Sequence, residues 1–146
     1  MAYKYAYQGP QEGVAKAAIT NVPISTKTAA MIAQFVKGKT PTRAQRDLND
    51  VLKQKQAVPF TRYTEGAGHK TKIGPGKFPQ KATKTFLTLI NSAVKNAEDL
   101  GLAEDLVIVS CTAHKASSNY SHGRWRGRKM KSTHVEIVVA EQEEQE

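Results

Sequence analysis

The stretch LVIVSCTAHKASSNYSHGRWRGRKMKSTHVEIVV, residues 106–139, holds two apolar runs, Leu106–Val109 and Val135–Val139, around a long polar connection. Runs rich in Val and Ile with turn residues between them are typical of paired strands. Each arm has about a dozen residues, and in extended conformation it reaches roughly 40 Å at ~3.3 Å per residue. We therefore predict an extended basic β-hairpin, residues 111–134, that protrudes from the folded body.

The same stretch carries positive charge and no negative charge. Thirty residues from Leu106 to Val135 contain six cations and no Asp or Glu, and Trp125 lies between two arginines. Crowded cations repel each other until phosphates neutralise them. Five of the six follow Gly123, so the second arm should face phosphate more closely than the first. These features predict a nucleic-acid contact formed by Lys115, Tyr120, His122, Gly123, Arg124, Trp125, Arg126, Gly127, Arg128, Lys129 and Lys131.

Trp125 has two interpretations. Between Gly123 and Gly127 it has few apolar neighbours in the sequence, and an exposed indole can stack on an unpaired base. Alternatively, the ring folds back onto the hairpin stems, where burial of its large apolar surface is favourable. We favour the stacking role because the flanking glycines leave the segment flexible.

Composition predicts one small domain. The chain has 146 residues, 39% of them apolar, a net charge of +9 and a pI near 9.7. Five of the thirteen acids fall in the last eleven residues, so 22 cations face 8 anions before Glu136, a net of +14. We expect residues 14–110 and 135–140 to form the body, and residues 1–13 and 141–146 to be flexible tails.

Targeting signals are not visible in the sequence. No apolar stretch approaches the roughly 20 residues of a membrane span, and Met1–Pro10 lacks the apolar centre of a signal peptide. A single cysteine, Cys111, excludes an internal disulfide and fits a reducing compartment. These observations predict a cytoplasmic protein without a membrane partner.

The first half of the chain predicts one strand and two helices. Val14–Ile24 reads as a strand that Pro23 limits at its end. Ser25 is a candidate N-cap for a helix that Gly38 ends, and Thr40-Pro41 is a cap followed by proline at the first helical position. The apolar positions of these two helices are Ala29, Ile32, Ala33 and Val36, then Ala44, Leu48, Val51 and Leu52.

A third and longest helix follows Pro79 and ends at Gly101. Its apolar face contains Ala82, Phe86, Leu89, Ile90, Ala93, Ala97 and Leu100. The element order is strand, helix, helix, helix, strand, strand. This order predicts an α+β fold in which three helices pack on one face of a small three-stranded antiparallel sheet.

Residues 58–79 differ from the rest because glycine, proline and cations dominate them. We predict a loop ordered by a partner, since twenty structureless residues are unusual inside a domain. Lys81 and Lys84 follow at the start of the third helix, where cations oppose the helix dipole, so they are suited to an external phosphate. The second basic surface predicted here comprises Arg62, His69, Lys70, Lys72, Lys77, Lys81 and Lys84.

Three arrangements could indicate other chemistry. Cys111, His114, His122 and His134 have metal-ligand side chains but not the spacing of a closed zinc site. Gly74-Pro-Gly76-Lys77 lacks the preceding strand and the Gly-Lys-Ser/Thr ending of a nucleotide P-loop, so a turn that meets an RNA phosphate, or a plain solvated turn, fits it better.

The third arrangement could indicate a catalytic site. Ser110, Ser117 and Ser118 lie near His114, but no acid within the acid-free stretch orients its imidazole, although a partner could come from elsewhere in the fold. We expect no catalysis, metal, cofactor or small-molecule substrate.

Several motifs together resemble a known family. These are Lys37-Gly-Lys39, Val58-Pro-Phe60-Thr-Arg62, Gly68-His-Lys70, Gly76-Lys-Phe-Pro79 with Lys81, Ala82, Lys84, Phe86 and Leu87, Asn96-Ala-Glu98 with Gly101-Leu102, Ala113-His-Lys115 and His134-Val-Glu136. Over about Ala15 to Glu141 the chain resembles the universal ribosomal large-subunit protein numbered twenty-two, in its archaeal and eukaryotic form. Gly123-Arg124 stands twelve residues before Val135, as the family's tip pair does.

The resemblance implies a structural, non-catalytic component of the large ribosomal subunit. Its hairpin would line the polypeptide exit tunnel and its body would lie near the exit. The implied partners are large-subunit rRNA, neighbouring ribosomal proteins and the nascent polypeptide near the tip. This chain departs from the family just before the tip, where Ala116–His122 is shorter and lacks an Arg-Ala pair. Tyr120 and His122 would replace the usual contacts of that arm by stacking.

A DNA-architectural protein with a basic β-arm is the alternative. Such proteins usually insert an apolar or proline wedge at the arm tip to unstack a base step. No Pro, Ile, Leu, Val or Phe lies between Cys111 and His134, and Met130 is the one flexible candidate. The sequence therefore favours RNA over DNA.

Overall fold

A computed structural model describes residues 3–102 and 105–141, and over these residues the chain forms three helices and two three-stranded antiparallel sheets. The α+β prediction is confirmed. In chain order the elements are β1 (Val14–Val22), α1 (Thr26–Val36), α2 (Pro41–Leu52), β2 (Val58–Pro59), β3 (Gly68–Lys70), β4 (Gly74–Lys77), α3 (Gln80–Asp99), β5 (Leu106–Lys115) and β6 (Thr133–Glu141).

The main sheet has the strand order β1, β6, β5. Ile137, in the middle of β6, pairs with Ala17 of β1 on one side and with Cys111 of β5 on the other. Val135, Ile137 and Val139 are fully buried because alternate β6 side chains point to the helical face. Helix α3 packs on β1 and β6, α1 packs on β5, and α2 lies against α3.

The helices begin and end close to the predicted residues. The Thr40 hydroxyl accepts a hydrogen bond from the Arg43 backbone N–H, 3.4 Å away, and so caps α2. On α3, the predicted apolar face supplies Phe86, Leu89 and Ile90 to the core. Gly101 follows α3 with φ of 71°, a conformation that glycine adopts without strain.

The prediction that residues 58–79 form a loop ordered by a partner is wrong for three short strands, β2, β3 and β4, which lie within this segment. Strand β4 lies between β2 and β3 in a second, small sheet, so the Gly-Pro-Gly-Lys segment is a strand and not a turn. A Cβ at Gly76 would lie only 3.2 Å from the Ala57 Cβ, so glycine allows the close approach. The sequence pattern did not predict these strands because they are short and lack the alternation of apolar and polar residues.

The long protruding β-hairpin predicted for residues 111–134 is not confirmed. Strand β5 continues to Lys115 and β6 begins at Thr133, so β pairing extends into the predicted range 111–134. Residues 116–132, here the β5–β6 connection, contain one isolated bridge, between Tyr120 and Lys129.

The N-terminal segment before β1 lies against the outer face of the main sheet. The Ala6 backbone N–H donates to the carboxylate of Glu136 on β6, and the Lys16 ammonium lies 5.8 Å from the centre of the Tyr5 ring. Residues 1–2 and 142–146, parts of the predicted tails, lie outside the described residues. The division into body, hairpin and tails stays a prediction. No described helix is both long enough and apolar enough to cross a membrane.

Candidate nucleic-acid interface

The backbone of the β5–β6 connection is held by a few cross-connection hydrogen bonds. Met130 donates its backbone N–H to the Asn119 carbonyl at 2.7 Å, and Ser121 donates to the Arg128 carbonyl at 2.8 Å. Beyond this pair the chain turns, with Gly123 at φ of 92°. A side chain at Gly123 would be strained, so glycine permits the turn. The tip of the connection is therefore the segment from His122 to Gly127.

Trp125 is exposed at this tip, with 66% of its surface accessible. The guanidinium of Arg124 lies 5.9 Å from the centre of the indole, and that of Arg128 lies 5.8 Å from it. Both distances allow a cation–π interaction. The indole is 66% exposed and is not folded onto the strands, so its ring remains accessible for stacking.

Tyr120 gives the first arm of the connection a second exposed aromatic ring. It is 57% accessible, and the Lys129 ammonium lies 5.5 Å from the ring centre. Tyr120 and His122 line an open cavity of about 340 Å³ together with Pro23 at the end of β1. The predicted stacking residues of the shorter arm thus share one concave surface.

The small sheet organises most of the second basic surface. His69 and Lys70 lie on β3 and Lys77 on the adjacent β4, whereas sequence alone had put all three in a loop. The Lys77 ammonium donates to the Glu65 carbonyl at 3.2 Å and lies 5.2 Å from the Phe60 ring. The remaining members are exposed around this sheet: Arg62 after β2, Lys72 in the β3–β4 turn, and Lys81 and Lys84 in the first turns of α3.

His114 has an acidic partner after all, on the neighbouring strand. Its Nε2 lies 3.3 Å from Glu136 Oε1, and the Thr112 hydroxyl donates to the same oxygen at 2.7 Å. In the described ranges, no hydrogen bond joins His114 to Ser110, Ser117 or Ser118. The pair therefore ties β5 to β6.

Cys111 is buried in β5. Burial, and after it the negative charge of Glu136, raises the pKa of the thiol from 9.0 to about 12. A thiol with such a pKa stays protonated and is a poor metal ligand. Among residues 3–102 and 105–141, no group of three or more His, Cys, Asp or Glu side chains is placed to hold a metal ion.

Comparison with known proteins decides the family. The family described as ribosomal protein L22p/L17e matches residues 17–140. The chain belongs to this family. The match covers all nine helices and strands of the described residues except the first part of β1 and the last residue of β6. It also includes the β5–β6 connection and the second basic surface.

Archaeal members of the family are similar over nearly the whole chain. The large ribosomal subunit protein uL22 of Nanoarchaeum equitans is 40% identical over 144 residues, which cover 92% of this chain and 83% of that protein. The uL22 proteins of Thermofilum pendens and Haloarcula marismortui are 34% and 32% identical, and each comparison covers 97% or more of both chains. The predicted resemblance is confirmed.

Sequence reasoning missed one cation close to the connection. Lys27 lies in the first turn of α1 and lines a cavity with Lys115, Lys129 and Lys131. Lys81 and Lys84 were selected because they oppose the dipole at the start of α3, and Lys27 stands in the same position on α1. The same signal would therefore have identified it.

Proposed function

We propose that this protein is a structural constituent of the large ribosomal subunit that binds large-subunit rRNA. Family membership supports the structural role, because its relatives carry the name large ribosomal subunit protein uL22. The main support for rRNA binding comes from the tip of the connection. There Trp125 is exposed between arginines, and no acidic residue lies nearby in the sequence. Such a surface combines phosphate neutralisation with base stacking.

The two basic surfaces have different roles in this proposal. The β5–β6 connection lines the polypeptide exit tunnel, with its tip near the nascent polypeptide, while the body lies near the exit beside neighbouring ribosomal proteins. The second basic surface, from Arg62 to Lys84, holds phosphates of the same rRNA. The protein acts in the cytoplasm without catalysis or a cofactor.

Crosslinking tests the proposal in the assembled particle. Ultraviolet irradiation of large subunits that contain the full chain should join Trp125 to rRNA, and the crosslinked nucleotides should map to one site in the large-subunit rRNA. A salt wash that leaves other ribosomal proteins bound should also leave this protein on the subunit. Release in that wash, together with the absence of crosslinked rRNA, would contradict the proposal.

The DNA-architectural alternative requires its own comparison. Duplex DNA and large-subunit rRNA would bind the same cations, so total affinity does not distinguish the rRNA-binding function from the DNA-architectural one. DNA bending does distinguish them. We expect the full chain to leave the end-to-end distance of a labelled duplex unchanged, because Met130 is the one apolar wedge candidate in the arm. A strongly bent duplex at low protein concentration would favour the alternative.

A further inference from the structure

One edge of the main sheet is only partly covered. Strand β5 forms this edge, and Ile108 exchanges two backbone hydrogen bonds with the α1–α2 connection, donating to the Lys39 carbonyl at 3.0 Å and accepting from the Gly38 N–H at 2.8 Å. The connection then leaves the edge. In the described part of the chain, no hydrogen bond occupies the outer backbone groups of β5 between Ser110 and Lys115.

The register of β5 and β6 identifies these outer groups. In antiparallel strands, every second residue turns its N–H and C=O away from the partner strand. Ala116 donates its N–H to the Ser132 carbonyl, and the register is regular back to Ser110. It follows that the backbone groups of Cys111 and Ala113 point away from β6. An extended chain laid along β5 would therefore find both donors and acceptors.

An open groove of about 400 Å³ lies beside this edge. Helix α1 lines it with the apolar side chains of Ala30, Met31 and Ala33, and β5 lines it with Cys111 and Ala113. Apolar side chains at alternate positions of an added strand would contact α1, because strand side chains alternate between the two faces of a sheet.

The far wall of the groove is the segment after β2. The Thr61 hydroxyl donates to Gln34 Oε1 at 3.3 Å and so ties this segment to α1. Tyr63, which lines the groove, has the Lys27 ammonium 5.4 Å from the centre of its ring. These contacts hold the wall in place, so the groove exists before a partner binds.

The groove carries positive charge. Lys37 at the end of α1 and Arg62 both line it, and no carboxylate of the described residues does. Neither cation forms a salt bridge within residues 3–102 and 105–141. A partner with carboxylate side chains would match this charge.

We propose that the β5 edge binds an extended, acid-rich segment of another protein, which adds a fourth strand to the main sheet. Strand addition uses main-chain hydrogen bonds for affinity and side-chain contacts for specificity. A peptide supplies alternating N–H and C=O groups, whereas a sugar–phosphate backbone supplies no row of donors for the free carbonyls of Cys111 and Ala113. The proposal adds a protein partner and does not depend on rRNA binding.

Amide hydrogen exchange, followed by NMR on the full chain, tests strand addition directly. The probe is an eight-residue peptide in which valine and glutamate alternate. At about ten times its Kd, exchange of the Cys111 and Ala113 amides should slow about tenfold. The Thr112 and His114 amides already face β6 and should change little. Uniform or absent protection would overturn the proposal.

A methylated peptide separates backbone pairing from charge attraction. N-methylation of its backbone amides keeps every side chain and removes the hydrogen-bond donors. The loss of several hydrogen bonds should raise Kd at least roughly tenfold. Equal affinity of the two peptides would show that charge alone holds them, and strand addition would be refuted.

A matched pair of variants tests the position of the charge. Lys37→Glu reverses a charge in the groove, and Lys53→Glu reverses that of an exposed lysine after α2, outside the groove. The first should raise the Kd of the valine–glutamate peptide roughly 3- to 10-fold and the second less than about twofold. Equal effects would overturn the assignment to the groove. Circular dichroism checks that both variants fold.

Other occupants of the edge give different results. If the Cys111 and Ala113 amides are already protected in the free chain, its own acidic tail or a second copy covers the edge, and the proposal of a separate protein partner is overturned. If large-subunit rRNA protects these amides and the peptide does not, the groove belongs to the rRNA interface. That result would refute the peptide site while supporting the proposed function.

Discussion

The carboxylate of Glu136 accepts the backbone N–H of Ala6 with both oxygens, at 3.1 and 3.2 Å, across 130 positions of sequence. Glu136 is only 3% accessible, yet it also accepts the Thr112 hydroxyl and faces His114. A buried carboxylate is tolerated when several donors replace its hydration. This residue therefore joins the N-terminal segment, β5 and β6 on the sheet face away from the helices.

Removal of this carboxylate should destabilise the fold. Glu136→Ala leaves the Ala6 N–H and the Thr112 hydroxyl without their acceptor, and we expect the free energy of unfolding to fall by about 1–3 kcal/mol. Urea denaturation of the full chain measures the change. Glu98→Ala, on the exposed face of α3, is the control and should stay within about 0.5 kcal/mol of the original chain. Equal losses in the two variants would contradict the role assigned to Glu136.

Alkaline pH should destabilise the protein through Cys111. Because burial raises the pKa of this thiol from 9.0 to about 12, the folded chain keeps a proton that the unfolded chain loses. The thiol's contribution is therefore fully present below pH 9 and is lost as the pH rises from 9 to about 12, with a slope of up to about 1.4 kcal/mol per unit.

Cys111→Ala tests this dependence. The variant lacks the thiol, so its unfolding free energy should fall less steeply above pH 9 than that of the original chain, in denaturant titrations at matched pH values. Tyr3 and Tyr5, whose pKa values burial and Glu136 also raise, are present in both proteins and cancel in the comparison. Parallel curves from pH 8 to 11 would show that Cys111 makes no such contribution.

Trp125→Ala should weaken rRNA binding without changing stability. Loss of one base–aromatic stack costs about 1–3 kcal/mol of binding free energy, which is roughly a 5- to 150-fold rise in Kd. Since the indole is exposed, the thermal midpoint should move little. Trp125→Phe keeps an aromatic ring and should recover part of the affinity. An unchanged Kd for Trp125→Ala would exclude stacking by this ring.

The β5–β6 connection should be the preferred site of proteolysis in the free protein. Its cations repel each other, its tip is exposed and few backbone hydrogen bonds cross it. Limited trypsin digestion should therefore cut between Ser117 and Lys131 before it cuts at Lys84 or Lys95 in α3. Bound rRNA should suppress these cuts. Complete protection of the connection without RNA would argue against self-repulsion there.

The sequence determined the parts of the fold that local patterns encode. The apolar spacing of α3, the Thr40-Pro41 start of α2 and the Val-Ile runs of β5 and β6 each specify an element through backbone and burial preferences. The acid-free stretch likewise identified Trp125 and its arginines, because charge and aromatic content are properties of composition. These features need no knowledge of distant contacts.

Tertiary structure alone decided which distant residues meet. The small sheet of β2, β3 and β4 forms through pairing across short, glycine-rich strands, where no periodic pattern marks the partners. Glu136 accepts the Ala6 N–H, and Lys27 and Lys115 line one cavity, because β6 lies between β1 and β5 and α1 packs beside them. Such contacts depend on how elements pack in space, and a linear sequence of charges and apolar residues does not specify that packing by local rules.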